Sequence, residues 1–308
     1  MRVIRNIRQM QKIARTLQRA GKTIGLVPTM GALHEGHASL IRACRKNNDT
    51  TIVSIFVNPI QFGPSEDFNR YPRPIGQDSS LCMKERVDFI FHPAAQEMYS
   101  AGFKTYVDVQ ELGTRLCGAS RQGHFRGVTT VVAKLFNACM PDRVYFGRKD
   151  AQQALIIQRM VKDLNIPVSV KVMPTVREKG GLAVSSRNAY LDEGRRNDAR
   201  VISQSLQLAR RLIMKGSRDP RSIIGKMVSL IESKTTARID YISVVDTEHL
   251  KPVGRISGDC LIAVAVWFGG TRLIDNTRIV IANPGRMKRS KKIVSSLPAP
   301  RNDGHGVL

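Results

Sequence analysis

Two histidines three residues apart, His34 and His37, lie in the run Pro28, Thr29, Met30, Gly31, Ala32, Leu33, His34, Glu35, Gly36, His37. On the first turn of a helix that spacing puts both imidazoles on one side. The run follows a strand-like stretch at 23–27 and opens into a helical one. Its unsatisfied N–H groups and positive dipole end would favour a phosphate. Two imidazoles there could donate hydrogen bonds to charge developing on an α-phosphate. Gly31 and Gly36 let the backbone turn tightly or approach a ligand closely. Zinc fits less well, because H-E-x-x-H places its histidines four apart. A core histidine would explain one ring but not the pair with its glycines.

A second loop, Phe146, Gly147, Arg148, Lys149, Asp150, also follows a strand-like run and leads into a helix. Lys149 could bind phosphates as a mobile point charge, and Asp150 could accept from ribose hydroxyls. A third, Val184, Ser185, Ser186, Arg187, Asn188, follows Gly180 and Gly181. Two hydroxyls and a guanidinium would make a clamp for a triphosphate tail, on a loop free to close. Neutral amides complete the set: Asn58 and Gln61 after the second strand, Gln152 and Gln153 after the Lys-Asp pair. They suit a substrate with hydroxyl, carbonyl and carboxylate groups.

The elements that must position these residues alternate. Runs 51–57, 87–91, 143–146 and 168–173 are continuous apolar strands, and helical patterns cover 38–47 and 151–164. An amphipathic helix is expected over 6–20. The alternation predicts an α/β fold, a parallel sheet covered on both faces, with ligands beyond the carboxyl ends of the strands. Past residue 175 the texture changes to helices near 197–215 and 219–231, then strands at 240–245, 260–267 and 278–281. The expected domains are therefore 1–175, a smaller α+β unit over 176–282, and a basic tail, 283–308, too poor in apolar residues to pack.

Composition excludes several classes. The 308 residues, 42% hydrophobic and 24% charged, match an ordinary globular protein. No apolar run approaches the ~20 residues that cross a bilayer. Five scattered cysteines, none in a C-x-x-C pair, argue against a disulfide framework or thiolate zinc site and point to the cytoplasm. The absence of acidic residues before Glu35 raises a transit peptide, but the strand starting at 23 leaves no dispensable leader. The net charge of +24 fits a basic proteome or a solvated surface first, and only second an attraction to polyanions such as nucleic acid through the tail, which no motif supports. Aromatics at 6% and no RNP-like motif give stacking-based RNA recognition little support.

Taken together, PTMGALHEGH (28–37), VSIFVNPIQF (53–62), RYPR (70–73), VDFIF (87–91), TYVDV (105–109), GASRQGHFRGV (118–128), FGRKDAQQ (146–153), LAVSSRN (182–188) and RLIDN (272–276) resemble the pantothenate synthetase (pantoate–β-alanine ligase) family. The matches run in the family's order from the first strand to about residue 281. The resemblance implies a Rossmann-like N-terminal domain and a two-step, ATP-dependent joining of pantoate to β-alanine through pantoyl adenylate. It places Met30, Gly31, Ala32, Leu33, His34, Glu35, Gly36 and His37 at ATP, with His37 the proton-donating histidine and His34 stabilising the transition state. Gly147, Arg148, Lys149 and Asp150 would hold ribose and phosphates. Val176, Val184, Ser185, Ser186 and Arg187 would supply the remaining nucleotide contacts. Gln61 and Gln153 would hold pantoate, with Gln61 also near β-alanine and Asn58 beside it. It further implies Mg²⁺, for which Asp88 is the candidate ligand, and a homodimer. Arg148 stands where the family commonly has Glu, and Gln122 where it commonly has Pro. Two alternatives remain at this level: an adenylyltransferase acting on a phosphorylated cofactor precursor, and a nucleic-acid-binding descendant of such an enzyme.

Overall fold

A computed structural model describes residues 1–64 and 66–281; the basic segment 283–308 lies outside the described residues. The chain opens with β1 (Arg2–Ile4) and α1 (Ile7–Arg19). The Asn6 side chain accepts the Gln9 N–H at 3.1 Å and so caps α1, whose Met10 and Ala14 are buried. Next come β2 (Ile24–Thr29), α2 (Glu35–Asn47), β3 (Thr50–Ile55), α3 (Ile75–Lys84), β4 (Phe89–Phe91) and the single turn α4 (Ala95–Met98). A further turn, α5 (Cys117–Ser120), precedes α6 (His124–Cys139), β5 (Arg143–Gly147), α7 (Ala151–Asp163) and β6 (Ser169–Met173).

The six strands form one parallel sheet in the order β1-β4-β3-β2-β5-β6. Every residue of β3 is buried. Successive residues serve opposite faces: Leu26, Ile52 and Phe91 join one apolar cluster, while Val27, Val53 and Ile90 join another. Burial on both sides is why these strands read as continuous apolar runs rather than as alternations. From β2 the chain moves outward to β3 and β4, then returns to β5 on the other side of β2. The topological switch point therefore lies between β2 and β5, where open α/β sheets bind ligands.

Helix α6 has no counterpart in the periodicity of the sequence. Its buried residues include Phe125, Val128, Thr129, Val131, Val132, Leu135, Phe136 and Cys139, so its polar face shrinks to a narrow stripe of Arg126, Lys134 and Asn137. The Thr129 and Thr130 hydroxyls are returned to the helix at Phe125 O (2.8 Å) and Arg126 O (2.6 Å), which lets them be buried.

The second domain packs α8 (Glu193–Met214) and α9 (Pro220–Glu232) on an antiparallel meander of β7 (Ala237–Asp246), β8 (Cys260–Phe268) and β9 (Thr271–Ile279), with a core of its own. Asp192 and Asp219 cap the two helices. The last strand begins at Thr271 rather than near 278, because polar residues disguise it: Arg272 pairs with Asp240, Asp275 with Arg177, and Asn276 reaches across to the first domain. All five cysteines are free and buried. Among the described residues no helix is long and apolar enough to cross a membrane.

Candidate active site

A cavity of about 700 Å³ opens beyond the carboxyl ends of β2, β3 and β5, with walls from both domains. Its floor is the segment between β2 and α2. Gly31 (φ 85°) and Ala32 (φ 50°) both occupy the left-handed region, so this segment needs external support. Asp78 on α3 gives it. Its carboxylate, 2% exposed, accepts the Ala32 N–H at 2.9 Å and the Leu33 N–H at 2.7 Å. Burial pushes the Asp78 carboxyl above its ordinary range, and the two N–H bonds oppose that shift. A Cβ on Gly31 would lie 2.9 Å from Asp78 Oδ2, so glycine is required there by space as well as by φ.

His34 caps α2 and His37 lies on its first turn. The rings stack at 4.1 Å between centroids, 26° apart. The His34 N–H donates to His37 Nδ1 at 3.3 Å. That acceptor role leaves the His37 proton on Nε2. Burial, then His34 and the charge on Lys149, push the His37 pKa well below its usual value. Burial, then Lys149, lower His34 to about 4, with Asp150 opposing. Both rings are thus neutral hydrogen-bond donors at pH 7. The Nδ1 atom of His34 is buried without a partner among the described residues. Gly36 gives that ring its room, since a Cβ there would lie 2.9 Å from His34 Cε1.

Gly147, Lys149 and Asp150 line the opposite wall at the end of β5. A Cβ on Gly147 would meet nothing within 4 Å, so the backbone there borders open space. Lys149 Nζ is 3.4 Å from Asp150 Oδ1. Arg148 contributes its carbonyl to an interdomain bond, and its side chain does not line the cavity.

The structure separates the amides. Gln152 is buried and fully engaged: Oε1 accepts the Cys117 N–H (3.1 Å), and Nε2 donates to Leu112 O (2.8 Å) and Arg115 O (2.6 Å). It staples the loop before α5. Gln153 lines the cavity with no hydrogen bond to any described residue. Asn58 donates to Gln61 Oε1 and Gly127 O, both at 3.0 Å, and accepts from Tyr99 Oη at 2.7 Å. With all three groups used, Asn58 orients Gln61 instead of offering itself to a ligand. Gln61 Nε2 lies 3.0 Å from Met30 Sδ on the cavity wall.

The interdomain loop reaches back over the site. Ser186 Oγ donates to Ala32 O at 3.1 Å, and the Val184 N–H donates to Val176 O at 3.0 Å. Ser185 Oγ accepts the Arg187 N–H at 3.3 Å. Arg187 forks onto Asp67, with both bonds at 2.9 Å. Arg121 forks likewise onto Glu66 (2.7 and 2.6 Å) and lies 2.9 Å from His124 Nε2, whose Nδ1 meets Gln61 O at 2.8 Å. Arg121, His124, Glu66, Asp67 and Asp78 were given no role by motif spacing. Arg121 and His124 fall inside the GASRQGHFRGV stretch, the signal that could have found them.

Asp88 does not belong to the site. It precedes β4 at the amino ends of the strands, where its Oδ2 accepts the Thr51 N–H at 2.8 Å; the expectation of a metal ligand is corrected by its place in the sheet. Glu35 likewise turns away and pairs with Arg42 on the surface of α2. Among the described residues no three His, Cys, Asp or Glu side chains are grouped to hold a metal. The lining carboxylates Glu66, Asp67, Asp240 and Asp275 are each paired with an arginine.

A switch-point cavity with a stacked histidine pair, a lysine facing it and a second domain over it defines an α/β nucleotide-dependent enzyme. The pantoate-beta-alanine ligase family model matches residues 2–278. The chain is 56% identical over 277 residues to a pantothenate synthetase of Sulfurihydrogenibium sp. strain YO3AOP1, covering 90% of this chain and 99% of that one. It is 52% identical to one from Caldicellulosiruptor bescii, covering 90% and 98%. The crystal structure of pantothenate synthetase from Thermus thermophilus superposes with a TM-score of 0.85 at 41% identity, covering 90% and 99%. That of a pantoate-beta-alanine ligase from Francisella tularensis, complexed with beta-gamma ATP and beta-alanine, gives 0.74 at 35% identity, covering 90% and 97%. The chain belongs to the pantoate–β-alanine ligase family.

Proposed function

We propose that this chain condenses pantoate with β-alanine at the expense of ATP, through a pantoyl-adenylate intermediate. A pantoate carboxylate oxygen attacks the α-phosphorus, the bond to the pyrophosphate oxygen breaks, and pyrophosphate leaves. The β-alanine amine then attacks the acyl carbon, the acyl–oxygen bond breaks, AMP leaves with its electron pair, and the amine loses a proton to solvent.

The observation that carries this reading is the His34–His37 stack, with His37 Nδ1 taken up by the His34 N–H, set across one cavity from Lys149 and the unengaged Gln153. Charge accumulates on phosphate oxygens during the first step, and donors already in place stabilise it without reorganisation. Bound triphosphate adds negative charge that offsets the Lys149 field and raises the imidazole pKa, so the protonated form of His37 becomes more accessible when substrate is present. Gln61, oriented by Asn58, and Gln153 would hold the hydroxyl and carboxylate groups of pantoate. Val176, Val184, Ser185, Ser186 and Arg187 would close on the nucleotide, with Gly147 and Asp150 at ribose. Excluding water protects the acyl adenylate from hydrolysis.

Magnesium fits as an ion carried in on ATP, because it retains waters and phosphate oxygens as ligands. Asp150, a lining carboxylate paired with Lys149 and not with an arginine, would be the candidate to help hold it when not engaged at ribose. The ion would neutralise charge on the phosphates. A homodimer and a cytoplasmic location belong to the same proposal, the latter supported by five free thiols.

The test is pyrophosphate release from MgATP with pantoate, with and without β-alanine, beside His37→Ala. A pantoate-dependent burst without β-alanine, turnover with it, and loss of both in the variant are expected. Release that ignores pantoate, or a variant as active as the parent, would overturn the reading.

A further inference from the structure

The C-terminal domain grips the nucleotide loops through β9, whose Asp275 and Asn276 also line the cavity. On β9, Asp275 and Asn276 are adjacent polar residues only 4% and 7% exposed. Asn276 donates both amide hydrogens across the domain boundary, to Arg148 O at 2.9 Å and Lys149 O at 2.8 Å. Its Oδ1 is buried without a partner among the described residues. Its backbone N–H is held by Asp275 Oδ1 at 2.8 Å. Asp275 in turn receives both arms of Arg177, whose Nη1 also donates to Gly181 O at 3.0 Å. Two neighbouring side chains on one strand thus reach two separate loops: the turn carrying Lys149 and the segment between Val176 and Val184.

We propose that Asn276 is a positioning residue for the nucleotide: its amide sets the turn that aims Lys149 into the cavity, so the second domain fixes the first domain's phosphate contact. This rests on the reading that Lys149 meets the triphosphate. The chemistry selects asparagine. Two N–H groups of one planar amide match two successive carbonyls, whereas aspartate or leucine of the same size has no N–H to give. An amide serving only as packing would give no reason to bury an oxygen without a partner.

The measurement is calorimetric binding of a non-hydrolysable MgATP analogue, together with KM for ATP, pantoate and β-alanine and a thermal melt. The proteins are wild type, Asn276→Leu, Asn276→Ala, Lys149→Ala and the Asn276→Leu/Lys149→Ala double variant. Losing two hydrogen bonds predicts roughly tenfold weaker nucleotide binding in the Asn276 variants, with KM for β-alanine within about twofold of the parent. Because Asn276 acts through Lys149, the double variant should bind no more weakly than Lys149→Ala. Unchanged nucleotide affinity in both Asn276 variants while Lys149→Ala weakens it would overturn this inference alone. Unchanged affinity in Lys149→Ala would overturn the reading beneath it. All three KM values rising together with a lost melting transition would mark Asn276 as a purely structural residue.

Discussion

Gly36→Ala separates the stability of α2 from the geometry of its histidines. A Cβ there would sit 2.9 Å from His34 Cε1 and 3.0 Å from Nδ1. Carbon contacts are favourable from roughly 3.5 Å, so about half an ångström must be found. The obstruction is the tip of a side chain, so the ring moves and the helix stays. Alanine inside a helix is worth about 0.5–1 kcal/mol over glycine, and an off-rotamer imidazole costs about 0.5–1.5 kcal/mol. The two nearly cancel, which puts the melting temperature within about 3 °C of the parent. Activity has no such offset. The stack with His37, 4.1 Å between centroids, opens, and the Nε2 donor loses its backing. A displacement approaching 1 Å near the chemistry costs up to about a hundredfold. We expect kcat/KM for pyrophosphate release to fall roughly thirty- to hundredfold, about 2–2.7 kcal/mol of transition-state stabilisation. Parental turnover at an unchanged melting temperature would refute the reasoning, since the ring would then have no stake in the reaction. A melting temperature lower by more than about 5 °C would refute it differently, by showing that the backbone takes up the clash.

Two further outcomes follow from the same geometry. Gln152→Leu removes three buried hydrogen bonds and should lose about 2–3 kcal/mol in urea unfolding, whereas Gln153→Leu should unfold within about 0.5 kcal/mol of the parent while pantoate kcat/KM drops at least about tenfold; the reverse pattern would exchange their roles. The histidines make stability pH-dependent: an unfolded chain takes up protons near pH 6.5, but folded His34 and His124 do so only near 4 and His37 lower than its usual value. Between about pH 6.5 and 4 the unfolded state binds more protons, so stability should fall as pH drops, by at most about 1.4 kcal/mol per unit for each ring. His34→Gln should flatten the slope of urea midpoint against pH, and an unaltered slope would count against a neutral His34.

What could be read from the sequence follows burial pattern and motif density. Strands β2, β3 and β5 and helix α7 were expected within a few residues of their places, because a two-sided parallel sheet leaves uninterrupted apolar runs such as 51–57; β6 was expected as a buried run as well, but it is the sheet's edge strand and none of its residues is buried. Helix α6 escaped for the opposite reason: buried on most sides, it leaves only the narrow stripe of Arg126, Lys134 and Asn137 to give a period. Strand β9 was displaced because Arg272, Asp275 and Asn276 imitate a loop while serving as ion-pair partners of Asp240 and Arg177 and as a bridge to the other domain. The histidines, Lys149, Gln61, Gln153 and the 184–187 segment all line or reach the cavity, since loops after strand ends are where such sheets do their work. Asp88 failed on the same rule, standing before its strand instead of after it. Asp78 was invisible because its role, to hold two N–H groups of a distant loop, leaves no local spacing.

The buried thiols give the molecule a built-in counter. Burial raises the pKa of Cys44 and Cys260 to about 11, of Cys82 to about 12, and of Cys139 further, so none offers the thiolate that alkylating dyes attack. Cys117 differs in address: it lines the cavity where the domains meet, its Sγ 3.1 Å from Tyr241 Oη and 3.6 Å from an Arg272 nitrogen. Parting the domains would uncover that one sulfur and leave the other four inside their cores. Dye uptake therefore distinguishes a molecule that is breathing, at one label, from one that has come apart, at five.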